Sequence, residues 1–163
     1  MRIWRFLTIM LTALSTGMSF CHLLELPPRV FYFDAQLWIT VTTKGLYYLF
    51  GTVGAVIEVG SVLTALVLTF LVRGRGSAFY LTLGGAISVV LALALWIAFV
   101  APVNAELAKW TPTAFPENWA HYRNQWEYTH AINAIIKIIG LSLLVCSILV
   151  ETPRVGAGQP DQA

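Results

Sequence analysis

Four long apolar runs constrain this chain more than any other feature of its sequence. Residues 6–24 and 76–105 contain no Asp, Glu, Lys or Arg, and residues 45–72 and 128–150 contain one such residue each. A helix needs about 20 apolar residues to cross a bilayer, and backbone groups in lipid must be satisfied within the segment. None of the runs alternates with period two, which argues against transmembrane strands. The runs predict an all-α, integral membrane four-helix bundle with helices near 4–25, 45–72, 77–101 and 119–150.

Composition supports a membrane protein and excludes other classes. Hydrophobic residues make up 58% and charged residues 11% of the 163 residues, whereas soluble domains contain about 45–50% apolar and about 25% charged residues. The net charge is only +2 and no basic stripe is present, so no nucleic-acid partner is expected. We expect one transmembrane domain over residues 1–152 and a disordered polar tail over 153–163. The lipid bilayer is the expected partner, and a homo-oligomer is left open.

Basic residues predict the orientation of the bundle. The two termini and the short turn after the second run carry Arg2, Arg5, Arg73, Arg75 and Arg154, while acidic residues fall almost entirely on the other side. By the positive-inside rule, we predict a multi-pass protein of the inner (plasma) membrane with both termini in the cytoplasm. The two long connections, about 26–44 and 103–120, should then form an outer cap. Residues 34–43 are too few to span and are expected to be re-entrant or interfacial.

The first run raises two questions about its ends. A basic start before an apolar stretch also occurs in signal peptides, but no small-residue cleavage site follows cleanly. The run also ends in His22 and Glu25, which a discarded peptide would not need, so we predict a retained helix. Pro27-Pro28 should end this helix, because proline lacks the backbone N–H that a helix interior requires.

The start of the fourth predicted helix carries a dense group of polar residues. Its ionisable residues lie on one face, flanked by Trp126 and Asn133: Arg123, Glu127, His130 and Lys137. Ionisable residues in membrane helices usually face the bundle interior and mark functional sites. The structural alternative is an interfacial belt in which Glu127 pairs with Arg123.

Two pairs of residues suggest a metal site as an alternative. His22 and Glu25 end the first predicted helix, and Glu127 and His130 have the same three-residue spacing in the fourth. Antiparallel helices would bring the pairs to similar depth, and Glu-x-x-His pairs hold metals in carboxylate-bridged di-iron bundles. Bound Fe, Cu or Zn is therefore kept as an alternative to a site without cofactor.

Glu58 and Lys137 are each the only formal charge in an apolar run. Such a charge costs about 2.5–3.5 kcal/mol at the centre of a membrane helix on insertion scales. The two residues lie at comparable depth, so pairing would offset part of this cost. We predict a buried Glu58–Lys137 ion pair, with a proton-handling role for Glu58 as the alternative.

The region from Pro102 to His130 resembles a known protein family. The string Pro102-Val-Asn-Ala-Glu, followed by Trp110, Pro116, Trp119, Arg123, Trp126-Glu127 and His130, is similar to the C-terminal signature of the anthrone-oxygenase-like family of small four-helix membrane proteins. The strings Phe50-Gly-Thr-Val-Gly-Ala and Glu25-Leu-Pro-Pro-Arg29 resemble one bacterial branch of that family. The resemblance covers roughly residues 10–150.

The resemblance implies an oxygenase that acts on a hydrophobic polyketide anthrone without metal or flavin. In such chemistry a base removes an activated C–H proton and the carbanion reacts with oxygen. The residues that match the signature and carry chemistry are Asn104, Arg123, Glu127 and His130.

The roles of these residues follow from their chemistry. His130 is the candidate base, because imidazole is the side chain whose unperturbed pKa lies near neutrality. Glu127 or Asn133 could orient it, while Arg123 and Asn104 could stabilise an enolate oxygen. The candidate walls for a flat aromatic substrate are Trp110, Trp119 and Trp126. A non-catalytic membrane scaffold or subunit is the remaining alternative.

Overall fold

The structure is a computed structural model that describes residues 1–45 and 47–152. Within these residues the chain forms helices and no strand: α1 (Arg2–Phe31), α2 (Ala35–Thr43), α3 (Tyr48–Gly51), α4 (Val53–Leu71), α5 (Ser77–Leu95), α6 (Ala101–Leu107) and α7 (Trp119–Leu149). A π-helical turn, Trp96–Val100, joins α5 to α6. The tail predicted over 153–163 lies outside the described residues.

Four helical segments are long and apolar enough to cross a membrane: Arg2–Phe31, Tyr48–Leu71, Ser77–Leu107 and Trp119–Leu149. α1 packs against α4 and α7, and α5 packs against the same two helices. The four segments therefore form a bundle, which confirms the predicted all-α four-helix class and is compatible with a multi-pass membrane protein. The direction in which the bundle faces stays a prediction.

α1 has a polar buried face and an apolar exposed face. The buried residues of α1 are Thr8, Thr12, Ser15, Thr16, Ser19, His22 and Arg29. On the same helix Phe6, Leu14 and Leu24 are exposed. Small hydroxyl residues let membrane helices approach closely and hydrogen-bond, whereas exposed apolar faces suit contact with lipid. This distribution is the one expected when the surrounding solvent is hydrocarbon.

α5 and α7 make a particularly close contact through glycine. A Cβ atom added at Gly85 would lie 2.6 Å from Leu144 Cγ and 3.0 Å from the carbonyl oxygen of Gly140. A Cβ atom added at Gly140 would lie 2.8 Å from the Cβ of Ser88. The absence of side chains at both positions therefore sets the distance between these helices.

The predicted cap is built from α2 and the connection over 108–118. Asp34 caps the N-terminus of α2 by accepting a hydrogen bond from the backbone N–H of Leu37 at 2.8 Å. Trp38 and Ile39 of α2 are fully buried. They share a hydrophobic cluster with Val100, Val103, Leu107 and Trp126, and Trp110, Phe115 and Trp119 pack against this cluster. The two long connections are thereby packed together at one end of the bundle.

α1 is longer than predicted, because it continues through Pro27 and Pro28 to Phe31. The prediction that these prolines end the helix is wrong. Proline has a backbone φ that suits a helix, and here the missing donors fall near the helix end. The backbone N–H of Tyr32 donates to the carbonyl oxygen of Pro28 at 3.0 Å. As a result Arg29 is a helical residue, one turn beyond Glu25.

The third span also exceeds its predicted range of 77–101. At the π-turn the backbone N–H of Ala101 donates to the carbonyl oxygen of Trp96, five residues earlier. Pro102 stands in the first turn of α6, where a missing N–H donor is tolerated. The wide turn therefore ends one helical segment, and the proline begins the next, which carries Asn104.

Candidate functional site

A cavity of about 820 Å³ lies between α1, the α3–α4 segment, the π-turn with α6, and α7. This volume is within the range of small-molecule sites, about 300–1,000 Å³. Much of its wall is apolar or aromatic, with Met18, Phe50, Leu93, Ile97 and Trp126 among the lining residues. The polar lining residues include Ser15, Ser19, His22, Tyr47, Glu58, Asn104, His130 and Lys137.

The cavity opens sideways, toward the apolar surface of the bundle. Its exposed lining residues lie on the α3–α4 side, at the π-turn, and also at the cap end of the cavity, where Asn104 and Ala108 are exposed. Tyr48, Ala55 and Val59 belong to the α3–α4 side, whereas Trp96 and Ile97 belong to the π-turn. The exposed fractions of Tyr48 and Ile97 are 70% and 57%. A molecule dissolved in lipid could therefore reach the cavity between these elements.

Two histidines from opposite ends of the sequence meet in this cavity. The ring centroids of His22 on α1 and His130 on α7 are 4.3 Å apart. Tyr47, Phe50 and Trp126 surround His22 with centroid distances of 5.0, 5.3 and 5.1 Å. The two histidines, expected at similar depth, therefore lie side by side among aromatic rings.

The backbone fixes the tautomer of His130. Its Nδ1 lies 2.9 Å from the carbonyl oxygen of Trp126, and a carbonyl oxygen can only accept a hydrogen bond. Nδ1 of the neutral imidazole therefore carries the proton, which leaves the lone pair on Nε2. Within the described part of the chain, Nε2 makes no hydrogen bond, and His130 lines the cavity. This is the arrangement required of a general base.

Arg29 connects the cap to the bundle. Its side chain is 3% exposed, and its Nε donates to Oε1 of Glu127 at 2.6 Å. Its two other nitrogens donate to Thr42 Oγ1 at 2.7 Å and to the Tyr47 hydroxyl at 2.5 Å. The Tyr47 hydroxyl in turn donates to Glu25 Oε2 at 2.5 Å. One guanidinium thus joins α1, α2, the connection before α3, and α7.

Tyr47 is the titratable member of this network that lies outside the four membrane-length segments of the structure. Burial raises the pKa of its phenol above the ordinary value, and the hydrogen bond to Glu25 adds to this effect. Tyr47 is therefore a neutral hydrogen-bond donor at physiological pH.

Sequence reasoning missed Arg29 because Pro27-Pro28 were expected to end the helix. A helix continued past these prolines would place Arg29 seven residues after His22 and four after Glu25, on their face. The structure shows this placement, with Arg29 and Glu25 also forming an ion pair at 3.7 Å. That spacing is the signal that could have identified Arg29.

Glu127 is fully buried and engaged by the cap. Besides Arg29, it accepts a hydrogen bond from Trp38 Nε1 at 2.7 Å. A buried carboxylate needs such a charged partner and donors. Within the described residues Glu127 makes no hydrogen bond to His130, whose ring is oriented by the carbonyl group of Trp126 instead.

Arg123 lies away from the cavity. Its guanidinium donates to Asn124 Oδ1 at 3.1 and 3.2 Å and lies over the ring of Trp119 at 4.9 Å. The belt alternative paired Glu127 with Arg123, whereas the structure pairs Glu127 with Arg29. Arg123 is one turn nearer the cap, at the edge of the bundle, whereas Glu127 points into it.

The predicted aromatic walls separate into two groups. Trp126 lines the cavity and donates from Nε1 to Asn104 Oδ1 at 2.8 Å, and Asn104 is also a lining residue. Trp110 and Trp119 belong to the cap, where Trp110 packs on Tyr122 and Trp119 packs on Trp38. Asn133 is 2% exposed and is not among the cavity-lining residues.

The predicted pair of Glu58 and Lys137 is present at the deep end of the cavity. Lys137 Nζ lies 2.6 Å from Glu58 Oε2 and 3.0 Å from Ser19 Oγ. Ser15 Oγ donates to the same carboxylate oxygen at 2.5 Å. Two serines of α1 therefore complete the ion pair between α4 and α7.

The four residues of the alternative metal site do not form one group. His22 and His130 are adjacent, but Glu25 and Glu127 bind Tyr47 and Arg29 respectively. Among residues 1–45 and 47–152, no three His, Cys, Asp or Glu side chains are arranged to hold a metal ion.

Fold and site together define a class: a helical bundle with membrane-length spans that encloses a cavity containing two histidines. Comparisons of the chain with protein-family models, curated proteins and solved structures found no match.

Proposed function

We propose that this protein is a membrane-embedded oxygenase that acts on a flat hydrophobic aromatic substrate without a bound cofactor. The observation that carries the proposal is the free lone pair of His130 Nε2 in an aromatic-walled cavity that opens toward lipid. The resemblance of the region from Pro102 to His130 to anthrone oxygenases supplies the substrate class, a fused-ring ketone with an activated methylene group.

The shape and access of the cavity support a substrate of this kind. Trp126, Tyr47 and Phe50 offer ring faces and edges against which a flat molecule can stack. The opening between Val59 and Ile97 is accessible to a molecule dissolved in the bilayer. A substrate of low water solubility would therefore need no aqueous route.

The reaction starts with proton transfer to His130 Nε2 from the activated methylene carbon. The negative charge of the carbanion is delocalised onto the keto oxygen of the fused rings. The carbon then reacts with O₂ to form a C–O bond, and protonation of the resulting peroxide gives a hydroperoxide. Loss of the second proton from the same carbon, with cleavage of the O–O bond, gives the ketone and water. The sum is one methylene group plus O₂ converted to one carbonyl group plus H₂O, and O₂ is the only oxidant.

Arg29 and Glu127 have a supporting role in this proposal. Their ion pair holds the start of α7 against α1 and α2, and Trp126, whose carbonyl group orients His130, adjoins Glu127 in that helix. Asn104 fixes the indole of Trp126 through its side-chain oxygen. Arg123 lies outside the cavity and takes no part in the proposed reaction.

Oxygen uptake by the purified protein with a panel of anthrones tests the proposal. We expect uptake equal to substrate consumed, above the rate of spontaneous oxidation, with formation of the quinone. His130→Ala should lower the rate by about 10²–10⁴-fold, the usual contribution of a general base. His121→Ala is the matched control, because His121 is an exposed histidine at the start of the same helix and is not a lining residue. No uptake across the panel, or full activity in His130→Ala, would refute the proposal.

Elemental analysis of protein purified without chelator addresses the metal alternative. His22 and His130 could supply two imidazole ligands from the cavity wall. Stoichiometric Fe, Cu or Zn that is lost in His22→Ala would favour a metal site over the metal-free reaction.

A further inference from the structure

We infer that Lys137 binds the oxygen atom of the substrate on which negative charge accumulates. This inference rests on the proposed function for its reaction, but it names a ligand class that binding alone can test. The class is fused-ring aromatic molecules that carry a keto or phenolic oxygen. Lys137 would thereby take the role that sequence reasoning gave to Arg123, which lies outside the cavity.

The hydrogen bonds of Lys137 leave one donor available. An ammonium group has three N–H donors. Two of those of Lys137 donate to Glu58 Oε2 and Ser19 Oγ. No third acceptor for Nζ is found in the described part of the chain. Lys137 is only 6% exposed, yet it lines the cavity. A buried donor without a partner is costly, so a ligand oxygen in the cavity would be a favourable acceptor.

The position of Lys137 relative to the histidines suits a fused-ring molecule. Lys137 contacts Ser19, and His130 contacts His22. Ser19 and His22 are three residues apart on α1, which corresponds to about 4.5 Å along the helix axis. The backbones of His130 and Lys137 are seven residues apart on α7, about 10.5 Å, a separation that the long lysine side chain can shorten. A ring system with its acidic carbon at His130 could therefore place a conjugated oxygen near Lys137. Charge created at the carbon would move toward the oxygen and the ammonium group.

The negative charge of Glu58 determines which kind of ligand oxygen this site should prefer. Its carboxylate lies 2.6 Å from Lys137 Nζ and already offsets the lysine charge. A ligand carboxylate would bring a second full negative charge beside Glu58. A keto or phenolic oxygen is neutral when it binds and is compatible with the ion pair, and the charge formed during the reaction is spread over the fused rings. The site is therefore expected to favour neutral oxygenated rings over aromatic acids.

Binding of three probes with the same ring outline tests the inference: a hydroxyanthraquinone, anthracene and an anthracene carboxylate. Quenching of tryptophan fluorescence in detergent gives each affinity. The wild type should bind the hydroxyanthraquinone about 10–100-fold more tightly than anthracene, as expected for a hydrogen bond to a charged donor. It should also bind the hydroxyanthraquinone more tightly than the carboxylate.

The decisive variant is Lys137→Met combined with Glu58→Gln, which removes the ammonium group without stranding the carboxylate. This variant should bind anthracene like the wild type and lose the preference for the hydroxyanthraquinone. A preference that survives in the folded variant overturns the inference. Ser142→Ala is the control, because Ser142 is an exposed residue of α7 whose hydroxyl donates to the carbonyl oxygen of Ile138 in the same helix.

A measurement on the wild type keeps the inference testable if the variant does not fold. The infrared carbonyl band of the bound hydroxyanthraquinone should lie at lower frequency than in detergent alone, and an unshifted band overturns the inference. The oxygenase proposal can fail separately. A preference for the hydroxyanthraquinone without oxygen uptake would refute only the oxygenase proposal. Normal oxygen uptake by the folded double variant would refute only the role of Lys137.

Discussion

Replacing Arg29 by Met should destabilise this protein more than most single substitutions. Glu127 is fully buried, and Arg29 is 3% exposed and donates to it at 2.6 Å. Met retains much of the apolar stem but leaves the carboxylate with Trp38 as its remaining donor among the described residues. Removing one partner of a buried ion pair costs about 3–5 kcal/mol, because the other charge remains in an apolar environment.

The double substitution Arg29→Met with Glu127→Gln should be more stable than Arg29→Met alone. The neutral amide oxygen of Gln can still accept the hydrogen bond from Trp38, so the stranded charge disappears. The remaining loss comes from the hydrogen bonds to Tyr47 and Thr42, at about 1 kcal/mol each. The double variant should therefore be about 1–3 kcal/mol more stable than Arg29→Met alone.

The free energy of unfolding is measured by SDS titration in mixed micelles, followed by tryptophan fluorescence and helical circular dichroism. Arg123→Met is the matched control, because among residues 1–45 and 47–152 Arg123 hydrogen-bonds only its neighbour Asn124, and it lies over Trp119. We expect this control to lose less than about 1 kcal/mol. An Arg29→Met loss no larger than that of Arg123→Met, or additive losses in the double variant, would refute the reasoning.

Three further predictions follow from the packing and charges. Lys137→Met should destabilise the bundle more than its combination with Glu58→Gln, because the single change leaves the carboxylate of Glu58, whose side chain is 16% exposed, without its cationic partner; additive thermal losses in detergent would show that the residues do not pair. Gly85→Ala should cost about 1–3 kcal/mol, since its Cβ would overlap a leucine of α7. Gly17→Ala should raise the free energy of unfolding by about 0.5–1 kcal/mol, because no atom lies within 4 Å of the added Cβ. The melting temperatures of Gly85→Ala and Gly17→Ala should therefore shift in opposite directions. Because the pKa of Tyr47 is raised in the folded state, stability should fall as pH rises above about 10. Between about pH 10 and 11 the free energy of unfolding of Tyr47→Phe should fall less steeply than that of the wild type, by up to about 1.4 kcal/mol per pH unit. Parallel curves for the two proteins would contradict a raised pKa of Tyr47.

The depth of each residue along its helix could be predicted from the sequence. Glu58 and Lys137 each interrupt an apolar run at similar depth, and the cost of an isolated charge in lipid leaves pairing as the simplest outcome. The mirrored spacing of the His22–Glu25 and Glu127–His130 pairs near two helix ends likewise placed the two histidines at similar depth. In both cases the length of a membrane span restricts the possible partners.

Lateral partners near the cap could not be predicted in the same way. Glu127 has Arg123 one turn before it, but the structure pairs it with Arg29, 98 positions away. The choice depends on whether two prolines end α1, and helix packing around them decides this. Trp110 and Trp119 show the same limit, because the sequence does not distinguish a tryptophan of the cap core from one that lines the cavity.

The π-turn at Trp96–Val100 has a consequence for how this protein could diverge in evolution. A π-turn is equivalent to one residue inserted into an α-helix, and each residue rotates a helix by about 100°. Deleting one residue from this turn would restore a regular helix and swing Asn104 by that angle away from Trp126, its present partner. The lipid-spanning part of α5 would keep its register. A single insertion or deletion here could therefore reshape the mouth of the cavity while the rest of the bundle stays unchanged.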